Sequence, residues 1–151
     1  MTQSSLQEIG AMASMTDKCI FCDIVAGKLP AFKIYEDNLF IAILDRFPVT
    51  VGHTLIIPKF HAVDVFGLCE KEAPQIMPLA QKIAAKMKEV FNPAGFNILQ
   101  NNGKAAGQVV FHYHMHIIPR YDDEDGLQVL FKAKNVSEKE LEEVAAKLIV
   151  N

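Results

Sequence analysis

The sequence predicts an α+β fold: an antiparallel sheet of about five strands covered by helices. Three observations carry that expectation. Short segments of strand character, each bounded by turn residues, recur in both halves of the chain. Between them, from about Glu70 to Phe91, the apolar period becomes helical, with Ile76, Leu79, Ile83, Met87 and Val90 on one face. Near the end, Ser137 and Glu140 form a capping box ahead of Leu141, Val144, Leu148 and Ile149.

The elements follow in order. A length of 151 residues suits one domain with its own core. Residues 1–14 lack the basic start and apolar run of a signal peptide. They are expected to be an expression leader or disordered tail, with Met15 as the natural start and 15–151 as a single domain. Over residues 17–27, Ile20, Phe21, Ile24 and Val25 fit a short helix carrying Cys19 and Cys22, with Gly27 as its stop and Pro30 beyond. Lys33–Glu36 and Phe40–Leu44 are strands split by Asp37-Asn38, and Asp45 ends the second. A loop with Pro48 and Gly52 leads to a third strand, His53–Ile57, closed by Pro58. In the long helix Pro74 suits the first turn, whereas Pro78 should kink it or mark a later start. Phe96–Gln100 is the fourth strand, and the small-residue loop Asn101–Gln108 leads to the fifth. Pro119 cannot donate to a ladder and marks that strand's end. Asp122–Gly126 reads as a solvated acidic turn.

Composition narrows the function. The net charge is −3 with no basic cluster, which argues against a surface that tracks nucleic-acid phosphates. A nucleotide can still be held by a few local donors. No apolar run reaches the length of a membrane span. Three cysteines do not make a secreted disulfide framework, and the Cys19-Ile20-Phe21-Cys22 pair points to metal or redox chemistry in a reducing compartment. The cytoplasm is the expected location. Cys69 stands alone at a loop–helix boundary and carries no expectation.

The chemistry concentrates in Phe111-His112-Tyr113-His114-Met115-His116-Ile117-Ile118-Pro119-Arg120. On a strand, alternation puts His112, His114 and His116 on one face, with neighbouring imidazoles roughly 6.6 Å apart. Phe111, Tyr113, Met115 and Ile117 then face a core. Imidazoles titrate near neutrality and suit acid–base, nucleophilic and metal work. A row of three suits one extended anionic substrate, and a metal-binding H-x-H strand is the rival. No acid lies nearby to complete a metal-hydrolase set, since Asp122 falls beyond Pro119.

The run from His112 to Ile118 resembles the signature of the histidine triad family. The resemblance extends over most of residues 17–121, through Cys-Ile-Phe-Cys, Tyr35-Glu36-Asp37, Asp45, Gly52–Lys59 and Ala106-Gly107-Gln108. It implies cleavage at the α-phosphate of a nucleoside phosphoramidate or similar conjugate, closest to the family's Hint branch. By resemblance His114 is the nucleophile, forming a covalent nucleotidyl-histidine. Attack needs a neutral ring, so its other nitrogen should be held protonated by an acceptor. His116 would contact the α-phosphate or bridging atom, and His53 would complete the cluster. Asp45 would accept the ribose hydroxyls, and Phe21, Ile24 and Leu44 would line a base pocket. Asn101 would touch the scissile region. Gly107, Gln108 and Val109 form the anion-contacting run, with the N–H groups of Gly107 and Val109 on the phosphate. Val109 stands where many relatives carry a hydroxyl. Cys19 and Cys22 would hold a structural zinc with His61 and His112; free thiols or a redox pair are the alternatives. The resemblance also implies a homodimer with two sheets joined, and purine nucleotide conjugates as partners. A dinucleoside polyphosphate hydrolase and a nucleotide-binding regulator with little turnover remain the competing functions.

Overall fold

The computed structural model describes residues 19–122 and 124–150. The expectations for residues 1–14 and Met15 lie outside them. The strands are β1 (Lys33–Glu36), β2 (Phe40–Leu44), β3 (Thr54–Pro58), β4 (Gly95–Leu99) and β5 (Met115–Arg120). They form one antiparallel sheet of five in the order β1-β2-β3-β5-β4. The first turn is built by Asp37, whose carboxylate accepts from the N–H groups of Leu39 and Phe40 at 2.8 and 2.7 Å. Such a side chain mimics a backbone turn and closes the hairpin.

Three helices accompany the sheet: α1 (Ile20–Val25), α2 (Ala73–Phe91) and α3 (Glu138–Lys147). Strand alternation sorts the core into two layers. Phe40, Ala42, Ile56, Met115 and Ile117 pack with Ile76, Leu79, Ile83 and Met87 of α2. Ile41, Ile43, Leu55 and Ile57 on the opposite face pack with Phe21 of α1. Each such aliphatic side chain contributes about 1.5–3 kcal/mol by leaving water. The short α1 starts at Cys19, whose sulfur accepts from the Cys22 N–H at 3.5 Å. Gly27 just beyond it has φ +72°, a conformation that favours glycine.

Several expectations need correction. β5 starts at Met115, so His112 and His114 precede the strand. Their stretch is held instead by the loop after β3, through Tyr113 N–H to the Ala62 carbonyl at 2.6 Å. Phe111 is half exposed, outside either core layer. Pro119 lies inside β5, paired with Phe96. Pairing with β3 stops at Ile117, so one flank of Pro119 has no strand to receive a bond. β3 runs Thr54–Pro58, leaving His53 just before it and placing Pro58 inside. Helix α2 accommodates Pro78 in its second turn, so the later start is not used. Val90 at its end is exposed.

The C-terminal capping box is present, with Ser137 and Glu140 exchanging bonds. Yet α3 buries none of its residues, and Leu141 and Val144 remain exposed; it does not cover the sheet. The acidic turn is anchored as well as solvated. Asp125 accepts from Arg120 Nε at 3.1 Å and from the Tyr121 N–H at 2.7 Å. No helix among the described residues is long and apolar enough to cross a membrane.

Candidate active site

Backbone groups dictate the state of the histidines. His112 is fully buried, and its Nε2 lies 2.8 Å from the Pro58 carbonyl. A carbonyl only accepts, so Nε2 carries the proton and Nδ1 keeps a lone pair. That Nδ1 lies 3.4 Å from Cys19 Sγ and 3.5 Å from Cys22 Sγ. Cys22 Sγ in turn lies 3.2 Å from His61 Nδ1. All four ligand atoms fall within 4.8 Å of one another. Two sulfurs and two imidazole nitrogens are a tetrahedral zinc set, and an Nε2–H held by a carbonyl is the usual support of a ligating histidine. Burial pulls His112 down to about 4. Burial, with Cys19 beside it, pushes the Cys22 thiol up to about 12. The residues therefore fit a zinc ion, which would draw off the thiol protons.

The next histidine is held in the opposite tautomer. His114 Nδ1 lies 2.7 Å from the His112 carbonyl and donates to it, leaving Nε2 as the free lone pair. Burial lowers the pKa of His114, opposed by that carbonyl bond and by Asp45; the ring is neutral at neutral pH. Phe21 of α1 stands edge-on to both rings, at 5.9 Å from His112 and 5.1 Å from His114. His116 follows at 4.9 Å from His114. Its pKa is pulled to about 4 by burial and by the neighbouring His114 and His53. His53 Nε2 is 2.9 Å from His116 Nδ1 and 3.5 Å from Asp45 Oδ2.

A cavity of about 730 Å³ opens beside these groups. Its wall brings together Phe21, Ile24, Leu44 and Asp45 from the first half of the chain. From the second half come Asn101, Gly107, Val109, His114 and His116. His53 and His112 stand behind the wall. Sequence reasoning missed Ile20, Leu29, Phe32 and Phe47 in the wall. Phe32 and Phe47 are largely exposed loop aromatics, and no periodicity marks such positions.

The loop before the histidines departs from expectation. Gln108 is buried and outside the wall, its Nε2 donating to the carbonyls of Val63 and Val110 and its Oε1 accepting from Gly103 N–H. Its own N–H donates to the Gly103 carbonyl at 3.1 Å. Gln108 thus braces the loop with every donor it has. The Gly107 N–H is likewise committed, to the Lys104 carbonyl at 3.0 Å, and Gly107 sits at φ +85°. Among the described residues no acceptor meets the Val109 N–H, which remains available at the wall. Asn101 Nδ2 donates to the Gly107 carbonyl at 3.4 Å and ties the loop's ends.

Comparisons with known proteins agree with this geometry. The HIT domain family matches residues 26–123. A crystal structure of a HIT family protein from Bacillus anthracis superposes with TM-score 0.83 at 45% identity, covering 87% of this chain and 95% of that one. A zinc-bound histidine triad family protein from Mycobacterium smegmatis superposes with TM-score 0.68 at 40% identity, covering 89% and 96%. The adenosine 5'-monophosphoramidase of Schizosaccharomyces pombe is 40% identical, over 86% of this chain and 98% of that protein.

Proposed function

Because the chain belongs to the histidine triad family, we propose that it is a nucleotide hydrolase acting at the α-phosphate of purine nucleoside phosphoramidates or aminoacyl- and lysyl-nucleotides. The observation that carries the reading is the tautomer of His114: Nδ1 is tied to the His112 carbonyl, which frees a neutral Nε2 lone pair at the cavity wall. Nε2 attacks phosphorus as the bond to the leaving group breaks, and a nucleotidyl-histidine forms: a phosphoramidate releases an amine nitrogen that takes up a proton from His116 or water, and an aminoacyl-nucleotide releases a carboxylate oxygen. Water then hydrolyses it to the nucleoside monophosphate. Two displacements of lower barrier replace one difficult one. Asp45 receives the ribose hydroxyls, and the base lies among Phe21, Ile24 and Leu44. The Val109 N–H, without an acceptor among the described residues, is a donor for a phosphoryl oxygen, and His116 in the same wall faces that group. Holding these parts in place supplies most of the rate gain.

Cys19, Cys22, His61 and His112 would hold zinc, whose contribution is structural: it ties α1 to the histidine segment. The zinc-bound relative and the fit of the four ligands support this. The reading also includes a homodimer. Strand β4 is a sheet edge, and an apolar groove beside it, with Met77, Ala84, Phe96 and Ile98, suits a second copy. Free thiols suit the cytoplasm.

Phosphorus NMR with adenosine phosphoramidate and diadenosine triphosphate in parallel tests the reading. Release of AMP from the phosphoramidate is expected, lost in His114→Ala and kept after chelation. Preference for the dinucleotide moves the chain to a polyphosphate hydrolase, and turnover of neither withdraws the covalent mechanism.

A further inference from the structure

Among the polar side chains of the cavity wall, Asp45, Asn101, His114 and His116 have work at the ribose and the phosphoryl group; Arg46 has none. Within the described residues Arg46 is the one Lys or Arg side chain in that wall, exposed and without a carboxylate in salt-bridge reach. The adjacent Asp45 is occupied elsewhere. Its Oδ1 accepts from the Phe47 N–H at 2.8 Å, and its Oδ2 lies 3.5 Å from His53 Nε2. The first of these bonds closes a turn over residues 45–47, which holds Arg46 at the cavity rim.

The base end of the cavity lies beside this turn. Leu44 precedes Asp45, and its N–H donates to the Phe32 carbonyl at 2.9 Å, which brings Phe32 alongside. Phe32 and Phe47 are 77% and 82% exposed, so the rim presents two aromatic rings and a guanidinium. Further in, Phe21, Ile24 and Leu29 carry no hydrogen-bonding side chain. A base seated there meets one fork-shaped donor, and the nearest side-chain acceptor, Asp45, serves the ribose. Such a pocket discriminates by the acceptors that a base presents. Guanine offers two adjacent acceptors, O6 and N7, which a guanidinium meets with two N–H bonds. Adenine offers N7 beside an N6 amino group, a donor that opposes the second N–H.

We infer that Arg46 is a specificity-determining residue: it pairs with O6 and N7 of guanine, so the cavity prefers guanine to adenine nucleotide conjugates. The inference rests on the seating of the base among Phe21, Ile24 and Leu44 in the reading above. Stacking on Phe32 and Phe47 adds affinity for any base and no choice between them. Because Arg46 is exposed, water competes for the same acceptors, and the preference falls at the lower end of what a bidentate pair gives.

Isothermal titration calorimetry of the full chain with nucleoside monophosphates tests this. GMP is expected to bind about 5- to 10-fold tighter than AMP. IMP keeps O6 and N7 but lacks the 2-amino group, and should bind like GMP. The 7-deaza analogue of GMP, with carbon in place of N7, should lose most of the advantage. Arg46→Ala should bring GMP down to the level of AMP and leave AMP little changed. Arg46→Lys keeps the charge without the fork, and should lose the preference as well. Equal binding of GMP and AMP to the wild type overturns the inference, as does IMP behaving like AMP. So does an Arg46→Ala protein weakened equally for every nucleotide, which would make Arg46 a general anion contact. Binding of none of the four overturns this inference and the nucleotide reading together. Guanosine and adenosine 5'-phosphoramidates then separate the two. A GMP preference without turnover of either sinks the hydrolase reading and keeps the guanine site, whereas turnover of both at equal kcat/KM sinks the guanine site alone.

Discussion

His112 and His114 stand two residues apart in one apolar stretch, yet the fold places them in different chemical surroundings. His112 is wholly buried and turns a lone pair toward two thiols, with its proton on the Pro58 carbonyl. His114 turns its lone pair toward an open cavity, with its proton on the carbonyl of His112 itself. The difference teaches that spacing collects imidazoles but does not assign them work. The nearest carbonyl or amide decides which nitrogen is free, and the free nitrogen decides whether a ring binds metal or attacks phosphorus.

The sharpest way to break this comparison is to truncate each ring in turn. We expect His114→Ala to lower phosphoramidase turnover by about 10⁴-fold or more, as loss of a nucleophile does, with the urea midpoint nearly unchanged. His112→Ala should show the reverse balance. Losing a buried ring and stranding the Pro58 carbonyl should cost about 2–4 kcal/mol in urea unfolding, while turnover falls less than about 100-fold. Equal losses of activity in the two variants would mean that the two ends are one functional unit.

Metal removal probes the His112 end alone. Zinc titration should show one ion per chain in the wild type and none in a Cys19→Ala, Cys22→Ala variant. At zinc one hundred times its dissociation constant, wild-type stability should rise by about 2.7 kcal/mol, visible as a raised melting temperature that the variant lacks. A variant that still binds zinc would remove the thiols from the ligand set.

The pH dependence of stability sharpens the other end. His53 and His116 are both pulled down in the fold, His116 to about 4, chiefly by burial. The unfolded chain keeps them near the ordinary histidine value of about 6.5. Below that value the unfolded state binds more protons than the folded one, so stability falls as pH drops from about 6.5 toward about 4. The urea midpoint should therefore decline over this window, and His116→Gln should flatten the decline. The smallest effect belongs to Val109→Ser. It adds a hydroxyl to a residue of the cavity wall, and should change turnover by only a few-fold, read in the same phosphoramidate assay.

The fold was legible in the sequence where local physics is strong. The turn-bounded apolar strands Phe40–Leu44 and His53–Ile57, the latter shifted by one residue to Thr54–Pro58, the helical period from Ile76 to Met87, and the Ser137–Glu140 cap each reappear in the structure. These signals come from neighbours along the chain, which a sequence displays directly. Errors fell where distant groups compete. Extrapolated alternation carried β5 back to Phe111, but the Ala62 carbonyl claims the Tyr113 N–H and the ladder starts later. A glutamine beside an anion-binding loop looked like a ligand, yet Gln108 is consumed bracing that loop against Val63 and Gly103.

By itself, then, the sequence determined that three histidines would lie together, that a Cys-x-x-C helix would precede the sheet, and which family the motif belongs to. Tertiary structure alone decided that Cys19, Cys22, His61 and His112 converge, and that the Pro58 carbonyl orients the His112 ring. The reason is geometric. Residue types and short periods are encoded locally, whereas the tautomer of His112 depends on one carbonyl within about 3 Å, delivered by Pro58 from 54 residues away.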